Sequence, residues 1–341
     1  MASPIDLHFL LLSILLFGSS VLVQSRVPKN ETFQFINQGK FGGLSVEYWA
    51  DYRIVEAVYA YPFGLYFYNS SPNAYILSIG ASPPHKIWMM PFVWDANRND
   101  PVRENSTLTF GRDGNLVLAD VDGRIVWQTN TANKGVTGIS MQPNGNLVLH
   151  DKYGRFVWQS FHHPSDTLLA GQSLTLKGGE KLVSRTAYPD GREGQHSIVV
   201  DKKGLIIYLN NSGNVLQYAG WEAKGLSSVT FDSVHEEELT TSYFLTLGFA
   251  KQYAPSKRIL LKKVNYNYLH SFLRIEFDGN LRLHTANTEP DYMSWGVDYE
   301  YFGNTVEECA LYRKCGLTGF CDRSICGSCP RKGSLGCMID L

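Results

Sequence analysis

Apolar residues along this chain fall in short alternating runs, and the same runs are written twice. Asp113-Gly-Asn-Leu-Val-Leu-Ala-Asp120 and Asn144-Gly-Asn-Leu-Val-Leu-His-Asp151 are one phrase, offset by 31 residues. Each is followed by a second shared phrase, Gly123-Arg-Ile-Val-Trp-Gln-Thr129 and Gly154-Arg-Phe-Val-Trp-Gln-Ser160. The runs are rich in β-branched and aromatic residues, and Asp-Gly, Asn-Gly and Tyr-Gly pairs separate them. Such pairs accept the positive φ of tight hairpin turns. No amphipathic helical stretch of convincing length competes. The pattern predicts an all-β chain.

A fixed period means one small unit stacked on copies of itself. Phe92-Val-Trp94 extends the series backward, so Trp94, Trp127 and Trp158 come once per unit. Three units of short strands, each with one large aromatic, predict a pseudo-threefold prism with the tryptophans packed on its axis. This first unit occupies residues 26–160. The segment after Trp158, including His162-His163-Pro164-Ser165-Asp166, has no strand alternation, and residues 161–174 read as a connector. Hairpin-like runs resume over 175–290, where Asp278-Gly-Asn-Leu-Arg-Leu-His284 returns to the opening phrase. A second, more degenerate copy of the unit accounts for them.

The two ends differ from the rest. Phe9 to Phe17 is apolar apart from Ser13, and small residues follow it. Val23 and Ser25 suit the −3 and −1 sites of a signal-peptide cleavage, so residues 1–25 read as a secretory signal. Their lack of Lys and Arg keeps a signal anchor as the alternative, and no later stretch is apolar and long enough to span a bilayer. Sequons at Asn30, Asn69, Asn105 and Asn210 fit a secreted chain. All 6 cysteines, Cys309, Cys315, Cys321, Cys326, Cys329 and Cys337, lie near the C-terminus. In an oxidising compartment an even, dense set implies a disulfide-stapled module over 305–341. Cys326-Gly-Ser-Cys329 also has zinc-type spacing, the rival reading.

Net charge −1 provides no electrostatic footprint for nucleic acid or an anionic membrane. No phosphate loop, nucleophile elbow or zinc-protease motif is present, and no carboxylate pair is identifiable, so the sequence points away from an enzyme and calls for no cofactor or metal. His162-His163 with Asp166 reads as connector, and His235-Glu-Glu-Glu-Leu239 as a solvated loop.

Val93-Trp-Asp-Ala-Asn-Arg98, the doubled phrase and Trp158-Gln-Ser-Phe-His-His-Pro-Ser-Asp-Thr-Leu-Leu169 together resemble bulb-type, mannose-binding-like lectin domains of plants. The versions in S-locus glycoproteins and secreted EP1-like glycoproteins are most similar, the wording of Leu108 to Leu118 pointing to the latter. The resemblance covers about residues 30–337. It implies tandem β-prism II domains, and an EGF-like module from Cys309-Ala-Leu-Tyr-Arg-Lys-Cys315. EGF-like order would join Cys309 to Cys321, Cys315 to Cys326 and Cys329 to Cys337. It also implies a further PAN-type module, whereas this sequence stops at Leu341.

The family's mannose pocket reads Gln-x-Asp-x-Asn-x-Val-x-Tyr, with alternate residues lining one face of a strand. The second repeat offers Gln142, Asn144, Asn146, Val148 and His150, with Asn and His in place of Asp and Tyr. The first offers Gly111, Asp113, Asn115, Val117 and Ala119. In the second domain Glu276, Asp278, Asn280, Arg282 and His284 keep two key residues, Asp278 and Asn280. Asp201, Lys203, Leu205, Ile207 and Leu209 keep almost none. Two readings follow. One is a secreted apoplast or cell-wall glycoprotein that binds mannose-type glycans or wall polysaccharide, foremost at Gln142–His150. The other is a pseudo-lectin, the same scaffold without a sugar site, recognising extracellular proteins or serving a structural role. Asp and Asn beside Gly also suit hairpin turns, so the groove around Asn146 discriminates: open for the first reading, plugged for the second.

Overall fold

The computed structural model describes residues 26–82, 89–188, 190–237, 240–250, 255–265, 270–286, 295–303, 309, 311, 319–322 and 325–328. The expected signal segment, residues 1–25, lies outside the described residues. Three antiparallel sheets enclose the first core. One joins β2 (Tyr52–Ala60), β3 (Phe63–Ser71), β4 (Ala74–Ala81) and β5 (Phe92–Asp95). The next orders β1 (Phe33–Ile36), β6 (Thr107–Phe110), β7 (Leu116–Ala119) and β8 (Ile125–Gln128). The third places β10 (Leu147–Asp151) between β9 (Val136–Met141) and β11 (Phe156–Gln159).

Alternation builds these sheets as the sequence predicts. Leu108, Phe110, Leu116, Leu118, Leu147 and Leu149 point inward and are fully buried. On the axis, the ring centroids of Trp94, Trp127 and Trp158 lie 5.7, 5.8 and 6.2 Å apart, each pair edge to face. That geometry sets the positive ring edge against the negative face, the favoured aromatic contact. Val27 is also fully buried in this core, its N–H donating to the Arg112 carbonyl at 3.1 Å.

The hairpins of the repeated phrase close on one turn type. Across the Asn144-Gly145 turn, Gln142 N–H donates to the Asn146 carbonyl and Gly145 N–H to the Gln142 carbonyl, both at 2.9 Å. This is the three-residue hairpin with a left-handed third position. Gly145 has φ +84°, and a Cβ there would meet Leu169 at 2.6 Å, so two constraints demand glycine. The same bonds recur at Gly111–Asn115 and Glu276–Asn280.

A second unit has three four-stranded sheets around its own core. They are β12 (Thr167–Leu169), β21 (Ser271–Ile275), β22 (Leu281–Ala286) and β23 (Trp295–Glu300); β13 (Ser173–Thr175), β18 (Leu226–Glu237), β19 (Thr240–Phe249) and β20 (Lys257–Val264); and β14 (Lys181–Arg185), β15 (Glu193–Val200), β16 (Gly204–Asn211) and β17 (Asn214–Glu222). The expected connector 161–174 therefore carries β12 and β13, and the unit continues past 290 to Glu300. β12 is buried at all three residues, so no alternation marks it. Leu205 and Ile207, placed in the groove register by sequence, lie instead in the second core. A one-residue slip relative to β10 exchanges the faces.

Beyond the prisms, β24 (Gly319–Asp322) and β25 (Ile325–Ser328) form a hairpin with Cys321 opposite Cys326. Cys309 is disulfide-bonded. Cys315, Cys329 and Cys337, and with them the expected pairing scheme, lie outside the described residues.

Candidate functional site

Of the five candidate positions, only Val148 and His150 stand well inside a strand. Asn146 immediately precedes β10, Gln142 follows the end of β9, and Asn144 sits in the turn between them. The left-handed Gly145 bends the chain here, so the set is not the single strand face expected from alternation.

Asn146 is 4% exposed and every side-chain group has a partner. Its Nδ2 donates to Gln159 Oε1 at 2.8 Å. Its Oδ1 accepts from Phe161 N–H at 3.2 Å and Ser160 Oγ at 3.3 Å. Val148 is fully buried between Ser140 and Gln159 on the neighbouring strands. Gln142 Nε2 donates to Ser140 Oγ at 2.9 Å, and Gln159 Nε2 lies 3.0 Å from His162 Nε2. The His150 ring rests on Gly138, where an added Cβ would meet it at 2.7 Å. Asn144 alone of the five is exposed, its Oδ1 accepting from Asn146 N–H at 3.2 Å.

The first repeat makes the same bonds. Asn115 Nδ2 donates to Gln128 Oε1 at 2.8 Å, and its Oδ1 accepts from Thr129 Oγ1 and Thr131 N–H, both at 3.0 Å. Asp113 Oδ1 accepts from Asn115 N–H at 3.1 Å. The two repeated phrases thus interlock: the Asn of Gly-Asn-Leu-Val-Leu binds the Gln of Val-Trp-Gln in each copy. In the second unit the fully buried Asn280 accepts from Phe302 N–H at 3.0 Å and donates to its carbonyl at 3.3 Å. Around it, Asp278 pairs with Arg282 at 2.7 Å and Glu276 with His284 at 2.7 Å.

A second polar centre, unforeseen from the sequence, lies on the seam between the prisms. Arg185 at the end of β14 donates to Asp95 Oδ2 and Asp166 Oδ2, both at 2.8 Å, and to the Tyr68 hydroxyl at 3.0 Å. Both carboxylates have no exposed side-chain surface. Burial pushes the Asp95 carboxyl up even against Arg185. Burial acts on Asp166 in the same sense, but Arg185, Arg274 and Arg98 outweigh it and hold that carboxyl well below the usual range. Further ties cross the seam. Arg98 donates to the Val183 carbonyl at 2.9 Å, Trp94 Nε1 to that of His163 at 2.6 Å, and Arg274 to that of Phe92 at 2.6 Å. Trp295 packs against both cores. Asp166 is therefore a buried ion-pair partner.

The three-sheet geometry and its repeated hairpins agree with sequence comparison. The model of the D-mannose binding lectin family matches residues 91–186. EP1-like glycoprotein 2 of Arabidopsis thaliana is 46% identical, over 92% of this chain and 75% of that protein. The chain belongs to the EP1-like glycoprotein family. The epidermis-specific secreted glycoprotein EP1 of Daucus carota is 41% identical, over 94% of this chain and 89% of that protein. A G-type lectin S-receptor-like serine/threonine-protein kinase of Arabidopsis thaliana is 29% identical over 72% of this chain, which covers 29% of that protein. Within the EP1-like family, the lectin-model match runs from just before β5 to one residue past β14, so it straddles the seam. The bulb-type resemblance carried by the doubled phrase holds.

Proposed function

We propose that this chain is a secreted glycoprotein of the plant apoplast or cell wall that uses the bulb-type lectin scaffold without a mannose pocket on β10. It acts by protein recognition or as a structural wall component. The observation that carries this is the state of Asn146 and Val148: one has no free amide group, the other no exposed surface. A mannose hydroxyl could reach Asn146 only by displacing Gln159 or the Phe161 N–H. Leaving such a buried group unsatisfied costs about 1–3 kcal/mol, more than a net hydrogen bond of about 0.5–1.5 kcal/mol returns. Secretion is supported by the carrot relative's name and by the sequons. Asn30, Asn105 and Asn210 are exposed, whereas Asn69 is half-buried.

The reading with a mannose-type glycan at Gln142, Asn144 and His150 draws on the family's description and on the exposed Asn144. Titration of the folded glycoprotein with methyl α-mannoside, followed by NMR, separates the two. The closed groove predicts no shift at millimolar sugar. Saturable shifts at Asn144, Asn146 and His150 would overturn it.

A further inference from the structure

Among the described residues, left-handed backbone outside glycine is confined to Asn and Ser, with one exception: the consecutive aromatics Tyr48 (φ 66°) and Trp49 (φ 54°). Bulky side chains are strained there, and such strain persists only where the surroundings over-determine it. Tyr48 supplies that constraint. Its ring packs on the Tyr52, Tyr66 and Phe92 cluster, lies 6.1 Å from Tyr68 in a stack, and sits 4.9 Å from the Arg185 guanidinium. Seating Tyr48 inward turns Trp49 outward, where it is 74% exposed. From the second prism, Tyr188 brings another open ring, 54% exposed and 5.2 Å from Tyr48. Two open aromatic rings, one from each prism, thus flank the seam on a common clamped support.

An indole this exposed contributes little to folding, so its strained display calls for something outside the chain. We infer that Trp49 and Tyr188 form a stacking platform for a neutral β-1,4-linked polysaccharide, a proposal that rests on reading the chain as a wall component. A pyranose with equatorial substituents has flat faces of polarised C–H bonds, which suit the negative face of an aromatic ring. A β-1,4 linkage repeats those faces along a ribbon, and a ribbon needs an open platform rather than a pocket. Charge argues for a neutral chain: Glu47 is neutralised by Arg274, which leaves the exposed Asp51 as the charge of residues 41–52, a stretch with no Lys or Arg, and this disfavours an anionic glycan. Asp51, exposed two residues after Trp49 and steadied by Asn69 Nδ2 at 3.2 Å, presents a carboxylate to sugar hydroxyls.

The test is calorimetric titration of the secreted, glycosylated chain with cellohexaose, alongside Trp49→Gly, Trp49→Phe and Tyr188→Ala. Binding by the wild type is expected. Trp49→Gly should weaken it about tenfold, the scale of one good aromatic contact. The same variant should keep or raise Tm, because glycine relieves the left-handed backbone. Trp49→Phe should retain most of the affinity, and Tyr188→Ala should lose less than Trp49→Gly. The proposal is overturned if the folded wild type does not bind cellohexaose, if it binds only oligogalacturonide, or if Trp49→Gly binds normally. A fall in Tm for Trp49→Gly would also overturn it, as that marks a structural role. Methyl α-mannoside binding that Trp49→Gly leaves intact would sink the closed-groove reading alone.

Discussion

Replacing Arg185 by Met tests the seam directly. The variant keeps most of the side-chain volume but leaves Asp95 and Asp166 with no guanidinium between them, both without exposed side-chain surface. Removing one member of a buried ionic group costs about 3–5 kcal/mol, a large part of the roughly 5–15 kcal/mol that holds a domain folded. Urea denaturation at pH 7, with wild type and variant compared at equal m, measures it. In the variant, burial without Arg185 raises the Asp95 carboxyl further above its unfolded value of about 4, and the Asp166 carboxyl, left with Arg274 and Arg98, moves up from its depressed value. At Asp95 the folded variant then binds a proton that the unfolded chain does not. Its penalty is full above the raised value and shrinks as pH falls through it. Wild-type Asp166 runs the other way: its folded value is depressed, so its contribution is present above about pH 4 and is lost as pH falls through the depressed value. The gap between the proteins should therefore narrow from pH 7 to pH 4. The triple replacement Asp95→Asn, Asp166→Asn and Arg185→Met should recover most of the loss. A gap below about 1 kcal/mol at pH 7, the scale of a solvated ion pair, would refute this account of the seam.

Asn146→Ala should destabilise by about 1–3 kcal/mol through the unpartnered Phe161 N–H, and Asn115→Ala similarly through Thr131; urea midpoints equal to wild type would show these amides to be dispensable. Burial beside Tyr61 and Phe63 pushes His270 down to about 4, so stability should decline as pH drops from about 6.5 through that value. His270→Phe should flatten that interval in a thermal-melt series, and an equally steep decline would count against it. Glycopeptide mass spectrometry should find glycan on Asn30, Asn105 and Asn210 and none on Asn69, whose Nδ2 donates to Asp51 at 3.2 Å; occupancy of Asn69 would contradict that assignment.

What could be read from sequence was whatever is local and repeated. The Trp axis and the Gly-bearing turns recur at fixed spacing, and the structure has both. The groove was legible as a list of residues but not as a state. Alternation carries no information about Gln159, 13 residues beyond Asn146, reaching back to occupy its amide. β12 is illegible in the sequence because three residues buried on both faces show no alternation. Leu205 and Ile207 face the second core because their turn is shifted by one position, which is invisible without the partner strand. The seam was hidden for a different reason. Arg185 is 90 residues from Asp95 and Arg274 is 227 from Glu47, and no short-range pattern links residues so far apart.

The buried contacts around Arg185 also bear on how this protein can be taken apart. The stretch recognisable as a lectin module, residues 91–186, is not a stretch that can fold by itself. Cutting at 91 separates β5 from β4, its sheet neighbour among the described strands, and cutting at 186 separates β14 from β15. Neither three-sheet body survives such a cut, although the fragment would carry all three axial tryptophans. Transplanting this module, or exchanging it between relatives, requires moving both prisms together, because the inherited text and the folding body are offset along the chain.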